Sequence, residues 1–69
     1  MHTIKLREEY IKLGQALKAA NLVFSGSEAK SLILDGEVKV NGEVCLMRGK
    51  KLYEGDIVEF DGEYIKIER

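Results

Sequence analysis

The sequence predicts an α+β domain in which a two-helix hairpin packs on a small, mostly antiparallel sheet. Three observations carry that reading. Residues 11 to about 20 have helical apolar spacing, a serine-capped segment restarts a helix at Ser25, and from Val38 onward apolar and polar residues alternate between Asn-Gly, Gly-Asp and Asp-Gly turns. The element order is β-α-α-β-β-β-β.

Residues 3–7 (TIKLR) alternate, which gives a short edge strand with Ile4 and Leu6 on one face. In the first helix, Ile11, Leu13, Ala16, Leu17 and Ala20 gather on one stripe, and Lys12, Gln15 and Lys18 lie on the other side. Gly14 inside this helix costs about 1 kcal/mol relative to alanine, so it is expected where another backbone comes close. Residues 21–24 break the helix, and Leu22 and Phe24 are expected to close the core there. Ser25-Gly26-Ser27-Glu28 has the capping-box pattern: Ser25 accepts from a first-turn N–H while Glu28 reaches back. Ala29, Leu32 and Ile33 then form the apolar face of the second helix, and Gly36 supplies a left-handed residue just past its end. Residues 38–44 alternate about Asn41-Gly42, the strongest short-range hairpin signal, because a type I′ turn needs positive φ at both central positions. Gly49 and Gly55-Asp56 mark turns, and strands at residues 57–60 and 64–67 flank a second hairpin turn at Asp61-Gly62.

A chain of 69 residues is read as one domain spanning residues 1–69. Cys45 is the only cysteine, so an internal disulfide and a cysteine-based zinc site are excluded, and Cys45 is expected as a small apolar strand residue. No apolar run approaches the ~18 residues a membrane span needs, which points to a cytoplasmic protein without membrane contact. The net charge of -1 is unevenly spread. Residues 1–53 carry nine Lys/Arg against six Asp/Glu, whereas residues 54–69 carry two against six.

Catalytic constellations are missing. Glu8, Glu9 and the acids between Glu54 and Glu63 read as solvated surface, and His2 stands alone at a terminus expected to fray. No triad, histidine metal site or phosphate-loop motif can be assembled, so neither an enzyme nor a cofactor is expected. What remains is a set of phosphate-seeking groups. Lys12, Gln15 and Lys18 recur on the exposed side of the first helix, Lys30 flanks the apolar face of the second, and residues 25–27 present that helix's N-terminal N–H groups. Arg48-Gly49-Lys50-Lys51 adds three positive charges in four residues, with no acid between Glu43 and Glu54 to neutralise them.

The run SGSEAKSLILDGEVKVNGEV, followed by RGKKLYEGDIVEF, resembles the S4 RNA-binding domain over about residues 10–60. Its serine-capped helix, V-x-V-N-G hairpin and later Gly-Asp turn occur in the order and spacing typical of that family. The chain as a whole, including EYIKLGQALKAANL, looks like the small stand-alone bacterial members called YaaA-like or YbcJ-like. The resemblance implies the alpha-L arrangement and an RNA-binding face formed by the helix pair and the adjacent loop. Carried onto this chain, that face comprises Lys12, Gln15, Lys18, Ser25, Gly26, Ser27, Lys30, Asn41, Arg48, Lys50 and Lys51. The implied partner is structured RNA, foremost ribosomal RNA in ribosome assembly or quality control, with the acidic C-terminal segment available to a ribosomal protein. One departure stands out: many members carry an arginine between the two cap serines, where this chain has Gly26; the alternative to Phe24 closing the core is an exposed ring that stacks on a base. The competing reading is a protein-interaction or β-grasp carrier domain, since GDIVEF also resembles such carriers. The sequence finishes Ile67-Glu68-Arg69 rather than Gly-Gly, and two consecutive helices before the hairpin do not fit the carrier topology.

Overall fold

A computed structural model describes residues 1–69 and contains two helices and seven strands. In chain order these are β1 (His2–Lys5), β2 (Ile11–Lys12), α1 (Leu13–Ala19), α2 (Gly26–Leu34), β3 (Val38–Val40), β4 (Glu43–Val44), β5 (Lys51–Leu52), β6 (Ile57–Phe60) and β7 (Glu63–Glu68). Five strands form one sheet in the order β1-β7-β6-β3-β4, and β2 and β5 form a separate two-stranded ribbon. Only the β1–β7 pair is parallel. The fold is therefore α+β with a mostly antiparallel sheet, and β1 is an edge as expected.

Local chemistry accounts for the element ends. Asn21 adopts φ 60° just beyond α1, and Leu22 N–H donates to the Leu17 carbonyl at 3.1 Å, which closes a Schellman motif. Gly36, at φ 79°, closes α2 in the same way, with Glu37 N–H donating to the Leu32 carbonyl at 3.1 Å. At the start of α2, Ser25 Oγ accepts from Glu28 N–H at 3.1 Å. The Glu28 carboxylate reaches back one residue further than a capping box requires and accepts from Phe24 N–H at 2.7 Å. Asn41 and Gly42 both have positive φ, and Val40 faces Glu43 across the turn, as a two-residue hairpin demands.

The core lies between the helix pair and the sheet. Leu13, Ala16 and Leu17 from α1, Ala29 and Ile33 from α2, and Val38, Val58, Ile65 and Ile67 from the sheet meet there with Leu52 of the ribbon, and no polar side chain is buried. Burying these side chains drives the docking of the helix pair on the sheet, at about 1.5–3 kcal/mol for each large residue.

Several expectations need correction. Ile11 and Lys12 are extended rather than helical, because Lys12 (φ -80°, ψ 150°) is the N-cap of α1 and pairs with Lys51. The two-residue strands β2 and β5 are therefore additions to the expected order. The first strand covers His2–Lys5 rather than residues 3–7, and its first residue is anchored: His2 faces Ile65 and its ring lies 3.7 Å from the Glu63 carboxylate. Phe24 does not close the core. It is 90% exposed, and the adjacent Val23 occupies the inward position. Cys45 lies just past β4, half-buried, with its N–H donating to the Val38 carbonyl at 3.0 Å.

Candidate nucleic-acid interface

The N-cap and one face of α1, the first turn of α2 and the loop after β4 converge on one open cleft of ≈ 360 Å³. Its lining is Lys12, Gly14, Gln15, Lys18, Gly26, Arg48 and Gly49, with no apolar side chain and no carboxylate. The convergence has a backbone cause. Leu13 N–H donates to the Lys50 carbonyl at 2.9 Å and Gly14 N–H to the Arg48 carbonyl at 3.1 Å. Two first-turn donors of α1, which no intrahelical carbonyl can satisfy, thereby tie down the basic loop. Gln15 Oε1 accepts from Lys12 N–H at 3.1 Å and finishes the cap.

Gly14 is where another chain segment comes close. A Cβ built there would lie 2.9 Å from Arg48 Cγ and 3.8 Å from the Arg48 carbonyl oxygen, so the missing side chain lets the arginine stem cross the helix. That crossing brings Arg48 to the same hollow as Lys12 and Lys18. Gly26, on the opposite wall, has no heavy atom within 4 Å of where its Cβ would be. The Gly26 and Ser27 N–H groups make no hydrogen bond within the chain: no carbonyl of α2 precedes them, and the Ser25 hydroxyl reaches only Glu28 N–H. This leaves two backbone donors at the positive end of the helix dipole for an anion.

Charge neutralisation within the protein is minimal. The one ion pair within 4.0 Å is His2 with Glu63, so no lysine or arginine has a carboxylate partner at that distance. Lys12 and Lys51 face each other directly across the β2–β5 ladder, an arrangement that repels in the absence of an anion. Lys51 Nζ rests 4.9 Å from the centroid of the Tyr10 ring.

The other residues singled out from the sequence lie outside the cleft lining. Ser25 is the helix cap, and Ser27 and Lys30 are exposed on α2. Lys50 borders a second hollow of ≈ 500 Å³, otherwise formed by Val40, Asn41 and residues 43–47. Lys51 stands on the ribbon. Asn41 is committed to the fold: its Nδ2 donates to the Asp56 carboxylate at 3.0 Å, and its Oδ1 accepts from Ile57 N–H at 2.9 Å. The Asp56 carboxylate in turn accepts from Tyr53 N–H at 2.8 Å, which locks the Asn-Gly turn to the Gly-Asp turn. Sequence reasoning passed over Tyr10 and Tyr53, whose rings lie 6.0 Å apart beside the cleft residue Lys12. The period-two pattern of YIKL and KLY was the available signal.

No helix is long and apolar enough to cross a membrane. A family model described as "S4 domain" matches residues 4–68. The "Probable ribosome maturation protein RlbA" of Bacillus subtilis (strain 168) is 48% identical over 59 residues, which cover 86% of this chain and 83% of that relative. The "Uncharacterized RNA pseudouridine synthase" of Aquifex aeolicus (strain VF5) is 45% identical over 60 residues, covering 86% of this chain but 24% of the relative. The chain thus corresponds to about a quarter of that second protein. With the family match running from Ile4 to Glu68 and a relative aligned over most of both lengths, the chain belongs to the S4 domain family.

Proposed function

We propose that this chain is a non-catalytic RNA-binding domain, a single unit over residues 1–69 with the helix pair and sheet in the alpha-L arrangement, and that the basic cleft holds phosphates of structured RNA. The observation that carries the reading is the cleft itself: Lys12 and Lys18, from the N-cap and last turn of α1, share one hollow with Arg48 of the loop, without a carboxylate in its lining. Lysine and arginine meet phosphates there, and the free Gly26 and Ser27 N–H groups add a main-chain contact. Lys30, Lys50 and Lys51 extend the same surface, and Ser25 supports it through the cap. Asn41 contributes by fixing the turn rather than by touching RNA. The family membership and the name of the Bacillus subtilis relative support ribosomal RNA during ribosome maturation in the cytoplasm as the setting. The acidic residues 54–69, which supply none of the cleft lining, are left for a ribosomal protein.

The test reverses charge in the loop. Arg48, Lys50 and Lys51 are replaced by glutamate, Lys66 and Arg69 serve as the matched reversal elsewhere, and affinity for a structured RNA is measured by fluorescence anisotropy at one salt concentration. Exposed substitutions shift stability by about 0.5 kcal/mol or less each, so circular dichroism should report a folded chain in both variants. The loop variant is expected to lose binding, and the terminal variant to retain most of it. Equal losses in the two variants, or none in the first, would overturn the assignment.

A further inference from the structure

We propose that the solvent face of the β2–β5 ribbon is a stacking platform for an unpaired base, so that this chain takes looped or single-stranded RNA next to structure rather than an uninterrupted duplex. The inference rests on the RNA-binding reading of the adjacent cleft and names the class of RNA that cleft would accept.

The register defines the platform. Ile11 faces Leu52 and Lys12 faces Lys51. Leu52 is fully buried and Ile11 packs on the core, so alternation turns Lys12 and Lys51 outward, together with Tyr10 and Tyr53 that flank the ladder. Tyr10 is 36% and Tyr53 44% exposed, with ring centroids 6.0 Å apart and planes tilted by 52°. The result is a two-by-two array: a lysine pair beside an aromatic pair, separated along the strands by about 7 Å, the rise of two residues. Lys12 belongs to both the array and the cleft lining, so the platform continues the phosphate site without a break.

The composition of this array selects the occupant. Two cross-strand lysines without a carboxylate within 4.0 Å favour an anion between them. An acidic peptide would use the lysines and leave the rings idle. A nucleotide uses both, its phosphate at the lysine pair and its base against a tyrosine, and Lys51, now over the Tyr10 ring, is free to swing to the phosphate. A continuous duplex cannot do this, because its base faces are already stacked on one another.

The test uses two RNA hairpins of equal length, each closed by a non-nucleotide linker so that no loop base is exposed, one fully paired and one with an internal unpaired stretch carrying 2-aminopurine. The full chain is titrated with each at fixed salt. Wild type is expected to prefer the bulged RNA by about 5- to 150-fold, the range of one base–aromatic stack, and to change the 2-aminopurine emission on binding. The Tyr10→Phe/Tyr53→Phe variant should keep the preference, and Tyr10→Leu/Tyr53→Leu, which retains apolar bulk without rings, should lose it while still binding the paired hairpin. Equal wild-type affinity for the two RNAs, an unchanged 2-aminopurine signal, or an undiminished preference in the leucine variant would overturn the proposal. Should the leucine variant fail to fold, the first two readouts on wild type decide. Failure of wild type to bind either hairpin would instead remove the RNA reading and this inference with it.

Discussion

Replacing Gly26 by arginine restores the residue that many S4 domains carry between their cap serines, and the structure makes the outcome calculable. Gly26 opens α2, its absent Cβ faces empty space, and its φ is not among the positive values, so any L residue fits without strain. Losing a glycine at a compatible position stabilises by about 0.4–1 kcal/mol. A cation at a helix N-terminus opposes the dipole by a similar ~0.3–1 kcal/mol. These nearly cancel, so the urea midpoint should stay close to wild type. Binding should change more. The cleft holds three cationic side chains, Lys12, Lys18 and Arg48, and a fourth would add one phosphate contact. Plotting log Kd against log salt concentration should therefore give a slope steeper by ~0.7–0.9, with tighter binding at low salt. Gly26→Glu, at the same open position, should do the reverse. An unchanged slope, or affinity shifts of the same sign for the two variants, would refute the placement of Gly26 on the wall of a phosphate site.

Three further substitutions separate binding from folding. Gly14→Ala places a Cβ 2.9 Å from Arg48 Cγ and must displace that side chain, so the domain should stay folded by circular dichroism and bind RNA more weakly, by ~1.5 kcal/mol or less. Ser25→Ala removes the acceptor for Glu28 N–H and should lower stability by ~1 kcal/mol in urea titration, with an unchanged m value and binding reduced only by the unfolded fraction. Asn41→Ala breaks both side-chain links between the two turns and should cost roughly 1–3 kcal/mol, while the chain that remains folded binds RNA with wild-type affinity. A selective loss of binding in Asn41→Ala would return that amide to the RNA face.

The parts of the fold that were legible in the sequence are those whose signals are local. Ser25, Gly36 past α2 and Asn41-Gly42 each act within a few residues and form the features their chemistry implies, with Glu28 reaching Phe24 N–H instead of the cap residue's own. The β2–β5 ribbon escaped because its strands are two residues long and pair across most of the helical region, so any window long enough to show a period at Ile11 and Lys12 is filled by the helix that follows them. Phe24 was misplaced because hydrophobicity alone does not decide which of two consecutive residues points inward; Val23 does, which turns Phe24 out. The candidate site was legible as a list of charges and not as a cleft. Residues 48–51 announced themselves by the missing acids around them. Their meeting with α1 depends on carbonyls of Arg48 and Lys50 accepting from Gly14 and Leu13, and main-chain acceptors leave no trace in residue types.

The parallel pairing of β1 with β7 carries a kinetic consequence. His2 faces Ile65 and Lys5 faces Glu68, so this contact encloses nearly the whole chain between its partners. Every other strand pair can form inside that span, and closing the largest loop comes with the greatest entropy loss and slows folding. Edge strand β1 should therefore dock last and detach first, with its amides exchanging hydrogen ahead of those in β6 and β3. The residues that line the cleft all fall between Lys12 and Gly49, in segments held together without β1. Fraying at the edge of the sheet would thus open β7 to solvent while leaving the basic hollow assembled.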